Sequence, residues 1–271
     1  MHKLVICVAP VGMWGKGDNN PITPEEIAEE THQSYLKGAS MVHLHVRDTQ
    51  GNQTSELKAF EKTVQLIREK CDIIIQGSTG GMTALDAEDR CVALNVLGVE
   101  MATLNMGSVN FFGGVYINTP EDIVYWAKKM LDKGIKPELC IFEAGMINNV
   151  KSLGEKGLLT GTLYYNFSLG FPGALPATLK NLILLVDSIP KESPWLYVEH
   201  GIKNFMPIAR AIAMGGHIRV GFEDSVWLNN KVKSQSNVEL VEKASHIATE
   251  MGRDIATVKE ARKILGLEEM G

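Results

Sequence analysis

The chain lacks any long hydrophobic run and any block of basic residues. No apolar segment approaches the roughly 18 residues of a membrane-spanning helix, and Met1-His2-Lys3 leads into a strand-like run without a signal-peptide pattern. The formal net charge is −5 over 271 residues, with no lysine- or arginine-rich stripe. We therefore expect neither a membrane nor a nucleic-acid partner, and we predict a cytoplasmic protein.

Cysteine is scarce and is not arranged for a disulfide framework or a thiolate metal site. The four cysteines, Cys7, Cys71, Cys91 and Cys140, show no CxxC spacing. Cys7 and Cys140 lie inside apolar, strand-like runs. We expect all four to be reduced residues of the core.

Apolar, strand-like runs recur eight times, and segments with helical periodicity separate most of them. The predicted strands are residues 4–9, 41–46, 72–76, 100–104, 138–142, 163–168, 195–199 and 218–222. Alternation of strands and helices favours a parallel sheet, and eight units predict an α/β fold of the (β/α)₈ TIM-barrel class. Residues 237–251 and 257–265 predict two extra C-terminal helices. A chain of this length can form one large core, so we predict a single domain over residues 1–271.

An open, doubly wound sheet would use the same alternation of elements. That fold commonly places a GxGxxG turn after its first strand, where the phosphates of a dinucleotide bind. Here the corresponding residues are Ala9-Pro10-Val11-Gly12, which lack this spacing. The absence of the turn favours the barrel.

Two histidines at strand spacing, His43 and His45, suggest a metal site. Alternate residues of a strand share one face, so both imidazoles point the same way, and Glu223 shares a face with Arg219 near the predicted eighth strand. In a closed barrel the second and eighth strands flank the first. Two histidines and one carboxylate form the ligand set of an open catalytic zinc site. We therefore predict that His43, His45 and Glu223 bind a metal.

Other candidate residues also follow the predicted strands, at the end of a barrel where active sites form. Asp224 is a candidate general base, and Arg219 either orients it or binds a substrate carboxylate. Residues 78–81 (Ser-Thr-Gly-Gly) offer hydroxyl and backbone N–H groups to a carboxylate, although such a sequence also suits a tight turn. Polar residues without a firm assignment at this end are Thr103, Asn105, Glu143, Glu199 and His200.

Several stretches together resemble the β-keto acid cleavage enzyme family, and the likeness covers essentially the whole chain. The stretches are Thr23-Pro24-Glu25-Glu26, His43-Leu44-His45-Val46-Arg47, Gln76-Gly77-Ser78-Thr79-Gly80-Gly81, Met101-Ala102-Thr103-Leu104-Asn105 and Gly216-His217-Ile218-Arg219-Val220-Gly221-Phe222-Glu223-Asp224. The resemblance implies a Zn²⁺-dependent barrel, usually a homo-oligomer, for which a homotetramer is the family expectation. It also implies condensation of a β-keto acid with acetyl-CoA to give acetoacetate and a new acyl-CoA.

The resemblance assigns roles to individual positions. It implies that His43, His45 and Glu223 hold zinc, that Asp224 is the base assisted by Arg219, and that substrate contacts come from Ser78, Gly81 and Thr103. Acidic residues that hold the ammonium group in family members acting on 3-keto-5-aminohexanoate align with Trp14 and Cys140. Because an unpaired buried ammonium is costly, we predict a neutral, apolar substrate side chain.

Trp14 has two alternative roles. Its indole face could bind a quaternary ammonium, as in dehydrocarnitine, or the side chain could simply pack the loop after the first strand. For the phosphates of CoA, the candidate contacts are Lys203, Lys231 and Lys233, which could equally be ordinary surface lysines. The loop at residues 170–174 resembles that of the family and could admit pantetheine.

Two other functions compete with acyl transfer. Metal-dependent hydrolases also carry HxH motifs in barrels, but they generally place the pair on the first strand and use an aspartate with later histidines. A non-catalytic metal or ligand-binding protein would need no base. The presence of Arg219 and Asp224 beside the predicted ligands argues against a non-catalytic binding protein.

Overall fold

The computed structural model describes residues 2–12, 19–80 and 85–267. Its strands are short and mostly buried on both faces. They are β1 (Ile6–Val8), β2 (Met41–Leu44), β3 (Ile74–Gly77), β4 (Met101–Asn105), β5 (Val109–Phe111), β6 (Gly114–Tyr116), β7 (Lys136–Ile141), β8 (Tyr164–Leu169), β9 (Trp195–Glu199), β10 (His217–Val220), β11 (Trp227–Asn229) and β12 (Val232–Lys233).

A closed parallel barrel forms from eight of these strands, in the order β1-β10-β9-β8-β7-β4-β3-β2. Each predicted strand overlaps one of the barrel strands, which confirms the (β/α)₈ fold. Strand β1 pairs with β10 on one side and with β2 on the other. The two strands that carry the predicted metal ligands therefore flank β1. That residues 1–271 form one domain stays a prediction.

Helices surround the barrel, and several of them begin at strong capping signals. They are α1 (Pro24–Leu36), α2 (Leu57–Lys70), α3 (Ala87–Arg90), α4 (Pro120–Lys133), α5 (Met146–Glu155), α6 (Leu179–Ser188), α7 (Met206–Ala213), α8 (Asn237–Glu250) and α9 (Val258–Ile264), with a 3₁₀ helix at Val92–Asn95. Thr23 and Glu26 form a reciprocal capping box at α1, and Thr119 and Asp122 form another at α4. The two C-terminal helices, α8 and α9, were predicted.

One end of the barrel is sealed by α9. Ala261 and Leu265 pack against interior residues from the start of several barrel strands, among them Val5, Met41 and Tyr164. Arg262 binds Asp72 and Glu100, which fixes α9 at this end. The carboxyl ends of the strands are therefore the open end, where the candidate residues lie.

The structure adds two antiparallel hairpins that the sequence patterns did not predict. Hairpin β5–β6 follows β4, and hairpin β11–β12 follows β10. The four cysteines are free and buried, as predicted. Among the described residues, no helix is long and apolar enough to cross a membrane.

Candidate active site

Three predicted metal ligands converge at the open end of the barrel. His43 lies on β2 and is buried, and His45 lies just beyond the strand. The two Nε2 atoms are 3.3 Å apart, and each lies 3.6 Å from an oxygen of Glu223. One ligand atom from each of the three residues lies within 4.8 Å of those from the other two.

The donor set fits a metal ion on geometric grounds. Zinc bonds of about 2.0–2.1 Å at tetrahedral angles place two ligand atoms about 3.4 Å apart, close to the observed separations. The Oε2 atom of Glu223 is buried without a hydrogen-bond partner. A buried carboxylate oxygen without a hydrogen-bond donor is costly unless a cation binds there.

The charge states also favour metal binding. Burial lowers the pKa of His43 to about 3, so the imidazole is neutral at pH 7 and can donate a lone pair. Burial alone would raise the pKa of Glu223, but Arg219 and the two histidines lower it well below its usual value. The site therefore presents a neutral His43 imidazole and an ionised Glu223 carboxylate.

Glu223 and Asp224 lie in a turn rather than on the strand. Strand β10 ends at Val220, two residues earlier than predicted, and Gly221 follows with a φ of 149°. A Cβ at Gly221 would overlap the carbonyl oxygen of Ala9, so only glycine fits this close approach. The turn lets both carboxylates face Arg219, whereas a continued strand would send them to opposite faces.

Arg219 holds Asp224 in a two-point ion pair. Its Nε donates to Oδ2 at 2.9 Å and its Nη2 donates to Oδ1 at 2.5 Å, and Nη2 also lies 3.2 Å from Glu223. Burial raises the pKa of Asp224 to about 6, although Arg219 opposes the shift. At pH 7 Asp224 is an ionised base whose pKa lies near the working pH, as general-base catalysis requires.

A cavity of about 450 Å³ lies over the ligands and reaches the predicted substrate contacts Ser78 and Thr103. Gly80 donates its backbone N–H to Ser78 Oγ at 2.9 Å, and Thr79 donates its N–H to Thr103 Oγ1 at 3.2 Å. Both hydroxyls are therefore held at the cavity wall. Gly81 and Trp14 were predicted to contact substrate, and both lie outside the described residues.

Aromatic side chains form part of the cavity wall. They come from hairpin β5–β6 and from the ends of β7 and β8: Phe111, Phe112, Tyr116, Phe142 and Phe171. Phe111 stacks on Phe171 at 4.8 Å between ring centroids. The sequence patterns missed this wall, because its aromatics are spread over separate loops.

Other candidates from the sequence lie at or near this end of the barrel but do not line the cavity. His200 does not line the cavity and instead stacks on Phe171 behind the wall. Glu199 accepts a hydrogen bond from the Tyr197 hydroxyl at 2.5 Å. Glu143 follows β7, is half-buried and does not line the cavity. Lys203, Lys231 and Lys233 are exposed.

A buried polar network beneath the cavity was also missed. Gln76, Glu138, Asn166 and Ser168 lie inside the barrel, and each is at most 5% exposed. Their signal in the sequence is the placement of polar residues within strands that a parallel barrel buries on both faces. Such residues need partners, and here they are one another's partners or neighbours.

A family model described as "beta-keto acid cleavage enzyme" matches residues 3–267. The chain belongs to this family. A family relative, the 3-keto-5-aminohexanoate cleavage enzyme of Fusobacterium nucleatum, is 40% identical over 99% of this chain and 100% of its own. The 3-oxoadipate:acetyl-CoA acetyltransferase of Cupriavidus necator is 34% identical over 97% of this chain and 96% of its own.

Solved structures share the fold of this β-keto acid cleavage enzyme family member. The ternary complex of ObcA with C4-CoA adduct and oxalate superposes with a TM-score of 0.75. The match covers 92% of this chain and 67% of that chain, at 22% sequence identity. At this identity the likeness supports the barrel alone.

Proposed function

We propose that this chain condenses a neutral β-keto acid with acetyl-CoA and releases acetoacetate and a new acyl-CoA. Membership in the family supports the reaction class. The convergence of His43, His45 and Glu223 beside the Arg219–Asp224 pair is the observation that carries the proposal. A non-catalytic binding protein could share the first group but would have no use for a base at that position.

Zinc is the proposed metal because two imidazoles and one carboxylate match its preferred open catalytic site. Bound there, it would act as a Lewis acid that acidifies the C2–H of the keto acid. We assign proton transfer, orientation of the base and substrate binding to side chains of the protein. Asp224 accepts the C2 proton, Arg219 keeps Asp224 oriented, and the hydroxyls of Ser78 and Thr103 bind the polar end of the substrate.

The proposed reaction balances without a further reactant. The C2 carbanion attacks the thioester carbon of acetyl-CoA, and the CoA thiolate leaves. The thiolate then attacks the former keto carbon, and the bond between that carbon and C2 breaks. The electron pair stays on C2 of acetoacetate, which recovers the proton from Asp224.

A neutral side chain fits the composition of the cavity. Among the described residues that line it, the acidic ones are Glu223 and Asp224, which the metal and Arg219 engage. Cys140 lies at the wall, and burial raises the pKa of its thiol well above the usual value, so the thiol carries no charge. Among the described residues of this wall an ammonium group would find no free carboxylate, and burying it there would be costly.

Two cationic alternatives have support of their own. The 40% identity to 3-keto-5-aminohexanoate cleavage enzymes favours an amino-bearing substrate. The aromatic wall favours a quaternary ammonium, which binds over aromatic faces without a hydrogen-bond acceptor. A substrate comparison separates these alternatives from the neutral side chain.

CoA is proposed to enter along the exposed lysines near hairpin β11–β12. The Nζ atoms of Lys203 and Lys233 lie 6.0 Å and 5.4 Å from the ring centroid of Trp227. With Lys231 they form a cationic group next to an aromatic ring, which suits phosphates and an adenine. They follow β9 and β10, at the same end of the barrel as the cavity.

A cytoplasmic homotetramer is proposed for the assembled protein. The apolar side chains of Leu179, Ile183 and Leu184 on α6 are 44%, 43% and 49% exposed, which supports burial of this helix against a second copy. The free, buried cysteines suit a reducing compartment.

The test is acetyl-CoA-dependent formation of acetoacetate from three β-keto acids: 3-oxohexanoate, 3-keto-5-aminohexanoate and dehydrocarnitine. We expect kcat/KM for 3-oxohexanoate to exceed the other two at least about tenfold, because the cations would be poorly paired. The His43→Ala variant should lose turnover and bound zinc together. Equal activity on 3-keto-5-aminohexanoate would refute the proposal of a neutral side chain. An absence of turnover on all three β-keto acids would refute acyl transfer.

A further inference from the structure

The imidazole of His43 contacts a buried amide on the side opposite the metal site. Its Nδ1 atom lies 2.7 Å from Oε1 of Gln76, which is fully buried on β3. An amide oxygen can only accept, so Nδ1 must carry the proton in this arrangement. Nε2 then keeps its lone pair and faces His45 and Glu223.

The orientation of the Gln76 amide therefore decides whether His43 can bind a metal. If the amide were reversed, its NH₂ group would point at Nδ1 and the proton would have to move to Nε2. A protonated Nε2 cannot be a metal ligand. Something must therefore hold the amide with its oxygen toward His43.

Glu138, on β7, is placed to do this. Its Oε2 atom and the Nε2 atom of Gln76 are both buried without a hydrogen-bond partner of good geometry. The two side chains are nevertheless neighbours, since Gln76, together with Asn166, lowers the pKa that burial raises at Glu138. A carboxylate beside the amide attracts its NH₂ end and so turns the oxygen toward His43.

The other oxygen of Glu138 is already occupied. Asn166 donates Nδ2 to Oε1 at 2.7 Å, and Ser168 donates its hydroxyl to Oδ1 of Asn166 at 2.9 Å. Oε2 is therefore the oxygen left for Gln76. A fully buried acidic side chain in a barrel interior is expensive, which argues that it serves a purpose.

We infer that Gln76 and Glu138 are positioning residues that fix His43 in the tautomer with a protonated Nδ1 and a free Nε2. The inference rests on the proposed metal centre and deepens it. Gln76 and Glu138 are buried and do not line the cavity, and the inference assigns to them the positioning of a ligand before a metal binds. Outer residues of this kind control metal affinity in protein sites.

The first test reads the tautomer directly in metal-free protein. Two-bond ¹H–¹⁵N spectra of histidine-labelled protein distinguish the protonated ring nitrogen, and His43→Asn assigns the His43 signals. We expect the proton on Nδ1 in the wild type and in Gln76→Glu, whose carboxylate also accepts. In Gln76→Met and Glu138→Met we expect signals of the Nε2-protonated form. A wild-type proton on Nε2 would overturn the inference, and unchanged Glu138→Met spectra would overturn the part assigned to Glu138.

The second test measures zinc affinity by competition with a chromophoric chelator. We expect Gln76→Met to bind zinc about 10–100-fold more weakly than the wild type, while Gln76→Glu stays close to it. Tyr164→Phe is the matched control, because it removes a buried interior hydroxyl that neighbours Glu138 but has no hydrogen-bond partner. Affinity of Gln76→Met within twofold of the wild type would overturn the inference.

These readouts do not depend on turnover. If the wild type shows the expected tautomer and binds zinc but forms no acetoacetate, the proposed reaction fails and the inference stands. If Gln76→Met cannot be purified, the wild-type spectrum and Gln76→Glu still decide the tautomer.

Discussion

Asp224 is the described carboxylate that combines burial, a rigid partner and a place at the cavity. The side chain is 5% exposed, and Arg219 holds both of its oxygens. Burial raises its pKa to about 6, while Glu223 beside it stays ionised because Arg219 and the two histidines lower its pKa. Two adjacent carboxylates thus have different properties, one suited to a metal and the other to a proton.

Asp224→Asn should remove the base and leave the metal ligands in place. We expect kcat for acetoacetate formation to fall by about 10²–10⁴-fold, the usual contribution of a positioned base. Zinc content, measured by atomic emission, should remain at the wild-type level, because Asp224 is not one of the three converging ligands. Loss of zinc from this variant would instead place Asp224 among the ligands.

At the scale of elements, the turn after β10 determines where the two carboxylates of the site lie. Gly221 has a φ of 149°, and a Cβ at this position would overlap the carbonyl oxygen of Ala9, the residue after β1, so no side chain fits. The N–H of Glu223 also donates to the carbonyl of Ala9 at 3.2 Å. The turn therefore positions Glu223 and Asp224 relative to β1 and to each other.

Gly221→Ala should lower the free energy of unfolding by about 2–4 kcal/mol, since it combines an unfavourable φ with a steric overlap. Zinc affinity should fall as well, because Glu223 must move. Urea denaturation measures the free energy of unfolding, and chelator competition on the same preparation measures the zinc affinity.

Gly154→Ala is the matched control for that substitution. Gly154 lies on α5, is exposed, and has no atom within 4 Å of the position that a Cβ would occupy. Alanine there should raise the free energy of unfolding by about 0.5–1 kcal/mol and leave zinc affinity unchanged. Similar losses of unfolding free energy and of zinc affinity in both variants would show that the effect at Gly221 is not specific to the turn.

The barrel was predictable because its strands and helices repeat a local pattern. Runs such as residues 195–199 match β9 over its full length, and Thr23-Pro24 marks the start of α1. The placement of His43 and Glu223 beside each other followed from barrel closure, since β2 and β10 both flank β1. These features depend on periodicity and topology, which the sequence encodes locally.

Other features depend on contacts between distant segments and were not predicted. The contact between Gln76 and Glu138 forms only once β3 and β7 lie on either side of β4 in the closed barrel. The turn at Gly221 depends on the backbone of Ala9, more than 200 positions earlier in the chain. The aromatic wall requires hairpin β5–β6 to pack on Phe171, which no local pattern indicates.

At the scale of the whole molecule, the two ends of the barrel have separate tasks. The open end carries the cavity, while the opposite end is closed by α9 and contains His217 at the start of β10. His217 is buried, and its Nδ1 accepts the N–H of Val5 at 3.1 Å. Burial lowers the pKa of His217 to about 3, so the folded protein holds it neutral.

His217 should make the protein sensitive to acid. The unfolded chain binds a proton at a pKa of about 6.5, and the folded protein does so only near 3, so stability falls as the pH drops below about 6.5. Between pH 7 and pH 5 the loss from this residue is about 2 kcal/mol. His217→Asn keeps an acceptor for Val5 and does not titrate. Urea denaturation of chelator-treated protein should therefore show a loss about 2 kcal/mol smaller in the variant, and equal losses would contradict the assignment.

Closure of the barrel joins the two extremes of the described chain. Leu4 donates its N–H to Asp254 and accepts the N–H of Ala256, both at 2.8 Å, and β1 is inserted between β2 and β10. During synthesis, the segment with His43 and His45 emerges from the ribosome well before Glu223, and β1 stays without one neighbour until β10 has been made. The nascent chain must therefore keep an incomplete sheet and two histidines without their carboxylate until Glu223 has been translated, so the candidate metal site forms only after the other barrel strands have been made.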